Sequence, residues 1–133
     1  MGSKADYLEN KILDHILRNV TYTQAATVYS ALFTVIPSDS TAGTEVTNAS
    51  SGYTRVATTF CTAGATTPGQ CVNTGAVTFA TAAAAYTVVG WGLLDTSTVA
   101  AGNLLYWATV TTLAIAINDQ ATFAVGGITI TED

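Results

Sequence analysis

The chain has 133 residues, of which 49% are apolar and only 10% are charged, and its formal net charge is −5. This length fits a single domain, and the acidic balance argues against a nucleic-acid partner, because phosphate binding needs a basic surface. One histidine and two cysteines exclude zinc sites built from several histidines or from four cysteines. The apolar runs are too short and too often interrupted for a membrane-spanning helix, which needs about 20 consecutive apolar residues.

The N-terminal segment repeats apolar residues at helical spacing. Leu8, Ile12 and Ile16 recur every four residues, and Val20 continues the series. This pattern is typical of an amphipathic helix with one apolar stripe. We therefore predict a helix over about residues 4–18.

Residues at both ends of this segment support the predicted helix. Ser3 and Asp6 have the spacing of a capping box, with Asp in place of the usual Glu. Asp14 and Arg18 can form an ion pair one turn apart. Asn19 is a plausible helix end, because Asn tolerates the left-handed conformation that terminates many helices.

After residue 20 the pattern changes to short segments rich in Thr, Ala, Val, Tyr and Gly, several of them alternating with period two. Strands at intervals near ten residues, separated by turn residues, indicate an antiparallel β-sandwich or jelly-roll-like fold. We divide the chain into an N-terminal helical segment, residues 1–20, and a β-sandwich domain, residues 21–133. The predicted strands cover residues 27–36, 53–60, 75–80, 86–94, 103–109, 113–117, 121–125 and 127–131.

The apolar stripe of the helix needs a surface to cover. Either it closes an open end of the sandwich, or it packs on a neighbouring subunit, and the sequence leaves both possibilities open. Leu8, Ile12 and Ile16 are therefore candidate interface residues.

The sequence gives little sign of catalysis. His15 is the single imidazole, and it lies beside Asp14 on the predicted helix without a recognisable nucleophile motif. Paired carboxylates can cleave glycosides, but nine acidic residues offer some pair by chance. We predict a protein that is not an enzyme and that has no cofactor and no metal. The loop carboxylates considered for this role are Asp39, Glu45, Asp95 and Asp119.

Cys61 and Cys71 flank a predicted loop between two antiparallel strands. The ends of such a loop can come within the Cα spacing that a disulfide requires, and closing it would contribute about 2–3 kcal/mol. Two free thiols are the alternative, as expected for a protein folded in a reducing cytosol. The sequence leaves both states open.

Three aromatic residues lie on neighbouring predicted strands. Trp91 is on one strand, and Tyr106 and Trp107 are on the next, where adjacent side chains point to opposite sides of the sheet. One of the latter two belongs to the core, and the other could stack on a sugar ring or on a neighbouring subunit. We include all three among the candidate interface residues.

The low charge also bears on assembly. Isolated monomers avoid large neutral apolar patches, and the cores of interfaces are depleted in charge. We therefore expect a homo-oligomer, with a trimer as the favoured stoichiometry.

Several segments together resemble a family of small virion proteins of tailed bacteriophages. The resemblance covers nearly the whole chain, but it does not extend to the cysteine pair, so it implies no disulfide. It rests on residues 5–19 (ADYLENKILDHILRN), 26–33 (ATVYSALF), 43–46 (GTEV), 90–95 (GWGLLD) and 102–106 (GNLLY), together with Tyr53, Arg55 and Phe60.

This resemblance implies a structural virion protein. Our main expectation is a capsid decoration, or cement, protein on the outer capsid surface that binds the major capsid protein and stabilises the assembled shell. The alternatives are a tail, tail-fibre or adaptor component that binds tail proteins, and a carbohydrate-binding module.

Overall fold

The computed structural model describes residues 3–47 and 51–132; positions 1, 2 and 133, which the predicted domain boundaries included, lie outside this range. The predicted class, mainly β with antiparallel sheets and one helix near the N-terminus, is confirmed. The elements are β1 (Ser3–Lys4), α1 (Asp6–Leu17), β2 (Val28–Val35), β3 (Thr44–Glu45), β4 (Val56–Thr58), β5 (Gln70–Val72), β6 (Val77–Thr78), β7 (Tyr86–Leu94), β8 (Leu104–Ile115), β9 (Thr122–Phe123) and β10 (Thr129–Thr131).

The strands form one large sheet and two small ribbons. The large sheet has six strands in the order β1-β8-β7-β2-β3, and β4 also pairs with β2. The ribbons are β5 with β10 and β6 with β9, and every pairing is antiparallel. The jelly-roll expectation is not confirmed, because the second layer consists of these short ribbons and loops.

The main core lies between the large sheet and the ribbons. It joins Leu32 and Trp91 of the sheet to Val77 and Ile130 of the ribbons. A smaller cluster contains Ala31, Phe33 and Leu94, with Leu104 packed against it. Because Leu32 lies between Ala31 and Phe33 in β2, the two clusters occupy opposite faces of the sheet.

The long predicted strands are found, but two that were predicted separately form one continuous strand. Strands β2 and β7 match the predicted residues 27–36 and 86–94 closely, whereas the separate strands predicted at 103–109 and 113–117 form the single strand β8. Val88 pairs with Leu113 and Gly90 pairs with Thr109. One residue of β7 therefore faces three of β8, and this bulge breaks the alternation that the prediction depended on.

Three strands were not predicted, and the strand predicted at 53–60 is shorter than expected. Strands β1, β3 and β5 have two or three residues each, too few for a readable alternation. Only Val56–Thr58 of the predicted strand joins the sheet. Before it, Tyr53 and Arg55 carry buried side chains that bond to β2, β3 and the loop between β7 and β8, as described below.

The start of α1 differs from the prediction, while its end agrees with it. Ser3 pairs with Trp107 in the sheet, so the predicted capping box is wrong, and the N-cap residue Ala5 has no side-chain cap. The Asp14–Arg18 ion pair is present at 3.0 Å, and Asn19 has a left-handed φ of 55°. Within residues 3–47 and 51–132, no helix has the length and apolar character needed to cross a bilayer.

Candidate functional site

Helix α1 lies against β8, and only its first half is covered. The backbone N–H of Ala5 donates to the Leu105 carbonyl at 2.9 Å, which fixes the start of the helix to the sheet. Leu8 is 7% exposed, and Ile12 is half-buried. Ile16, one turn later, is 70% exposed. The predicted interface residues of the helix therefore divide between an internal contact and the surface.

The second half of α1, together with Val20 three residues beyond its end, presents an apolar surface, which we call the α1 stripe. It consists of Leu13, Ile16, Leu17 and Val20, with exposed fractions between 45% and 74%. The spacing of Leu13, Ile16 and Leu17 places these three on one side of the helix. An adjoining groove of about 210 Å³ is lined by Lys4, Glu9, Ile12 and Leu13.

Three polar side chains near the stripe, Asp14, His15 and Arg18, are bonded within the chain. Arg18 donates to Asp14 at 3.0 Å. On the opposite side of the helix, the Lys11 ammonium lies 5.6 Å from the centre of the Tyr7 ring. His15 Nδ1 lies 3.2 Å from the Val20 carbonyl oxygen. The imidazole therefore holds the segment that follows the helix, which is a structural role.

The three aromatic candidates occupy different environments. Trp91 is only 3% exposed and belongs to the core, so it is not part of a surface for a partner. Trp107 is half-buried, and its indole N–H donates to Asp39 at 2.9 Å. Tyr106 packs against the core, and its hydroxyl donates to Glu132 at 2.5 Å.

The other loop carboxylates also accept hydrogen bonds within the chain. Asp95 accepts from the backbone and side-chain nitrogens of Asn103, at 2.8 and 2.7 Å, which closes the turn between β7 and β8. Asp119 accepts from the Ala116 backbone at 3.3 Å. In the part of the chain that the structure describes, no group of three potential metal-ligating His, Cys, Asp or Glu residues comes together.

Glu45 belongs to a buried group of three side chains, which we call the corner cluster: Glu45, Tyr53 and Arg55. Arg55 Nε and Nη2 donate to the two Glu45 oxygens at 2.8 and 2.7 Å. The Tyr53 hydroxyl donates to Glu45 at 3.0 Å and accepts from the Leu32 N–H at 2.9 Å. Burial, and next the Glu45 charge, raise the pKa of the Tyr53 phenol well above its ordinary value.

The corner cluster fixes the loop between β7 and β8. Arg55 Nη1 donates to the Thr96 and Ala101 carbonyls at 2.8 and 2.9 Å, and the Ala100 N–H donates to Glu45 at 2.8 Å. A cavity of about 170 Å³ lies beside the ion pair. Because the Arg55 and Glu45 side chains are only 1% and 5% exposed, the cluster stabilises the fold and offers little surface to a ligand.

Most of the segments that carry the phage resemblance meet at this corner. The GTEV segment supplies Glu45, and its partner is Arg55, one of the three separate residues that carry the resemblance. The GWGLLD and GNLLY segments end and begin at the Asp95–Asn103 contact. These segments are separated in the sequence, but in the structure they form one unit.

Two structural residues were missed by the sequence analysis. Asn73 is fully buried, and its side chain bonds to the Gly75 and Ala124 carbonyls and the Ile128 N–H at 2.7–2.9 Å. Glu132 bonds to both Lys4 and Tyr106. Their partners lie in distant parts of the sequence, apart from Gly75, so a local pattern gives no signal for either residue.

Comparison with known proteins gives one family. A family model described as Podophage GP4 fiber I protein gp80 matches residues 3–131 of the chain. No curated protein matches the chain.

Proposed function

Because the chain belongs to the family described as Podophage GP4 fiber I protein gp80, we propose that it is a structural fibre component of a tailed phage, whose copies associate through the α1 stripe. The family supports a virion protein and favours the fibre alternative over capsid decoration. The observation that carries the proposed association is the exposed apolar surface of Leu13, Ile16, Leu17 and Val20.

The stripe continues a contact that the chain already makes. Leu8 is buried on the helix side that meets the sheet, and Ile12, one turn later, is half-buried. From there the stripe extends to Ile16 and Leu17, which are 70% and 74% exposed. A second helix packed along the stripe would enlarge this apolar contact, and each exposed Leu or Ile buried in this way contributes about 1.5–3 kcal/mol.

A second copy of this chain is the occupant that fits the stripe best. Its own α1 supplies side chains at the same spacing of three and four residues, which is the requirement for helix-to-helix packing. The Asp14–Arg18 pair beside the stripe is internally neutralised, so two copies can approach there despite the net charge of −5. The adjoining groove at Ile12 and Leu13 gives space for an apolar side chain from the neighbour.

We expect three copies in the assembly. The stripe covers a wider part of the helix surface than the narrow seam of a two-stranded coil. Around a three-fold axis each helix meets two neighbours, so both edges of the stripe are covered. Closed cyclic symmetry also prevents unlimited growth.

The mass of the purified protein in solution tests this association. We expect three times the chain mass of 13.7 kDa by light scattering coupled to size exclusion. The double variant Ile16→Gln/Leu17→Gln should have the mass of a monomer, since it removes two exposed apolar side chains while keeping good helix formers. Lys11→Gln, which introduces the same residue on the opposite side of the helix, should leave the assembly unchanged.

Two results would contradict the proposed association. One is a wild-type protein that remains monomeric at high concentration. The other is an assembly that survives the double substitution in a variant whose circular dichroism shows the native fold.

Copy number in purified particles tests the fibre assignment separately. Quantitative mass spectrometry, normalised to the most abundant shell protein, should find only a few copies of the chain per particle. A ratio near one per shell subunit would overturn the fibre assignment in favour of capsid decoration. Absence of the chain from particles would reject both virion roles.

A further inference from the structure

The two cysteines lie where two antiparallel segments enter an exposed loop. Phe60 and Asn73 pair across these segments, and the Cys61 N–H donates to the Val72 carbonyl at 2.9 Å. Residues 62–69 between them are all exposed. The framework that brings the cysteines together is therefore fixed by backbone bonds, while the loop itself is open to small molecules.

The two thiols are free and close to each other. Their Sγ atoms lie 3.7 Å apart, and both residues are half-buried. The Cys71 thiol donates to the Cys61 carbonyl at 2.6 Å, which holds it beside the other cysteine. A disulfide bond is about 2.05 Å long, so the sulfurs need to approach by less than 2 Å, a distance that side-chain rotation can supply.

We propose that Cys61 and Cys71 form an oxidation site that becomes an intramolecular disulfide when the protein leaves a reducing environment. The oxidant is a small-molecule disulfide such as oxidised glutathione. One thiolate attacks it, forming a mixed disulfide and releasing one small thiol. The second cysteine then displaces the other small thiol, so two protein thiols are oxidised and one disulfide is reduced to two thiols.

The bond would secure more than the loop. Cys71 lies in β5 and pairs with Ile130 of β10, and the Glu132 N–H donates to the Gly69 carbonyl at 2.8 Å. Glu132 in turn bonds to Lys4 in β1. A disulfide at the base of the loop therefore restrains the ribbon that attaches the C-terminal strand. This inference does not depend on the proposed fibre role.

Glutathione mixtures test the oxidation site on the full chain. The reduced protein is equilibrated with reduced and oxidised glutathione at pH 8, quenched with acid and alkylated, and its intact mass is measured. We expect a product that is lighter than the reduced chain by two hydrogens and that carries neither alkyl groups nor glutathione. Cysteines that remain alkylatable, or a product with glutathione on both cysteines, would overturn the proposal.

Thermal unfolding gives an independent readout. The oxidised protein should have a Tm about 5–10 °C higher than the reduced protein, because the closed loop limits the unfolded chain. The double variant Cys61→Ser/Cys71→Ser should show the same Tm with and without reductant. An equal Tm for the oxidised and reduced wild-type protein would contradict the restraint assigned to the disulfide.

Discussion

Arg55 and Glu45 form a bidentate ion pair inside the protein, with Nε–Oε1 and Nη2–Oε2 distances of 2.8 and 2.7 Å. The two side chains are 1% and 5% exposed. Removing two charges from water is costly, so such a pair is stable only where further hydrogen bonds complete it. Here the Thr96 and Ala101 carbonyls and the Ala100 N–H provide those bonds.

Loss of the Glu45 charge should strongly destabilise the fold. Glu45→Gln leaves the Arg55 guanidinium buried without its counter-charge, and we expect the free energy of unfolding to fall by about 3–5 kcal/mol. Urea denaturation at neutral pH measures this loss.

An exposed ion pair provides the matched control. Asp14→Asn breaks the contact with Arg18, whose side chain is 70% exposed, and we expect a loss of no more than about 0.5 kcal/mol. Similar losses in the two variants would show that burial does not explain the contribution of the Glu45–Arg55 pair to the free energy of unfolding.

The Tyr53 phenol should contribute to stability through its two hydrogen bonds. Tyr53→Phe leaves the Leu32 N–H without its acceptor and removes a donor to Glu45. Because Tyr53 is 1% exposed, water cannot readily replace these bonds. We expect a loss of about 1–3 kcal/mol by urea denaturation at neutral pH, and an unchanged free energy of unfolding would reject this assignment.

The same substitution should change how stability responds to alkaline pH. The pKa of Tyr53 is raised above its ordinary value of 10.0 by burial and by the Glu45 charge. The contribution of Tyr53 to the free energy of unfolding is therefore complete below the pKa that its phenol has in the unfolded chain. It declines as the pH rises above about 10. Wild-type stability should fall more steeply in this range than that of Tyr53→Phe, and parallel urea midpoints would contradict the role of this phenol.

The elements that the sequence predicts well are the long ones, in which an apolar pattern extends over several turns or residue pairs. Helix α1 follows from the four-residue spacing of Leu8, Ile12 and Ile16, and strands β2 and β7 follow from long segments, rich in apolar residues, that are bounded by turn residues. The second half of the helix shows the limit of this reasoning. Its apolar spacing continues through Ile16, yet that residue is 70% exposed, because spacing predicts an apolar face but not what covers it.

The corner cluster was not predictable from local pattern. Arg55 lies in an alternating segment that suggests a strand, and its carbonyl partners are 41 and 46 residues away. A weak signal was present, since Arg55 is one of only four basic residues and lies in a segment that otherwise carries no charge, between Tyr53 and Phe60. Asn73 gave no such signal, because its bonds to Ala124 and Ile128 span more than 50 residues.

Gly92 should be intolerant of a side chain because the small cluster packs against it. An added Cβ would lie 2.8 Å from Phe33 Cε2 and 2.9 Å from Leu104 Cδ1. Phe33 is 2% exposed and has little space to move. We expect Gly92→Ala to lower the free energy of unfolding by about 1–3 kcal/mol, as measured by urea denaturation.

Gly75→Ala provides the control for Gly92→Ala. The nearest atom to its added Cβ would be Thr59 Oγ1 at 4.0 Å, so the substitution meets no steric conflict. We expect it to be neutral or to stabilise by up to about 1 kcal/mol, because Ala restricts the unfolded chain. Equal destabilisation of the two variants would show that the contact with Phe33 and Leu104 is not the cause.

Glu132 connects the two ends of the chain to β8. It accepts from Lys4 of β1, and from the Tyr106 hydroxyl at 2.5 Å. Partial burial raises the pKa of Glu132, but the hydrogen bonds from Lys4 and Tyr106 and the Lys4 charge outweigh this effect and lower the pKa below its ordinary value of 4.5. The carboxylate form is therefore favoured by folding.

This lowered pKa predicts a contribution to stability that depends on acid pH. The contribution is present above the unfolded value of 4.5 and is lost as the pH falls through the lower folded value. Because the Glu132 side chain is 40% exposed, Glu132→Gln should cost less than about 1 kcal/mol at neutral pH. The urea midpoint of Glu132→Gln should fall less steeply than the wild-type midpoint between about pH 5 and pH 3. The control is Glu9→Gln, at an exposed position of α1. An acid dependence of Glu132→Gln as steep as that of the wild-type protein would rule out this carboxylate as a source of the acid sensitivity.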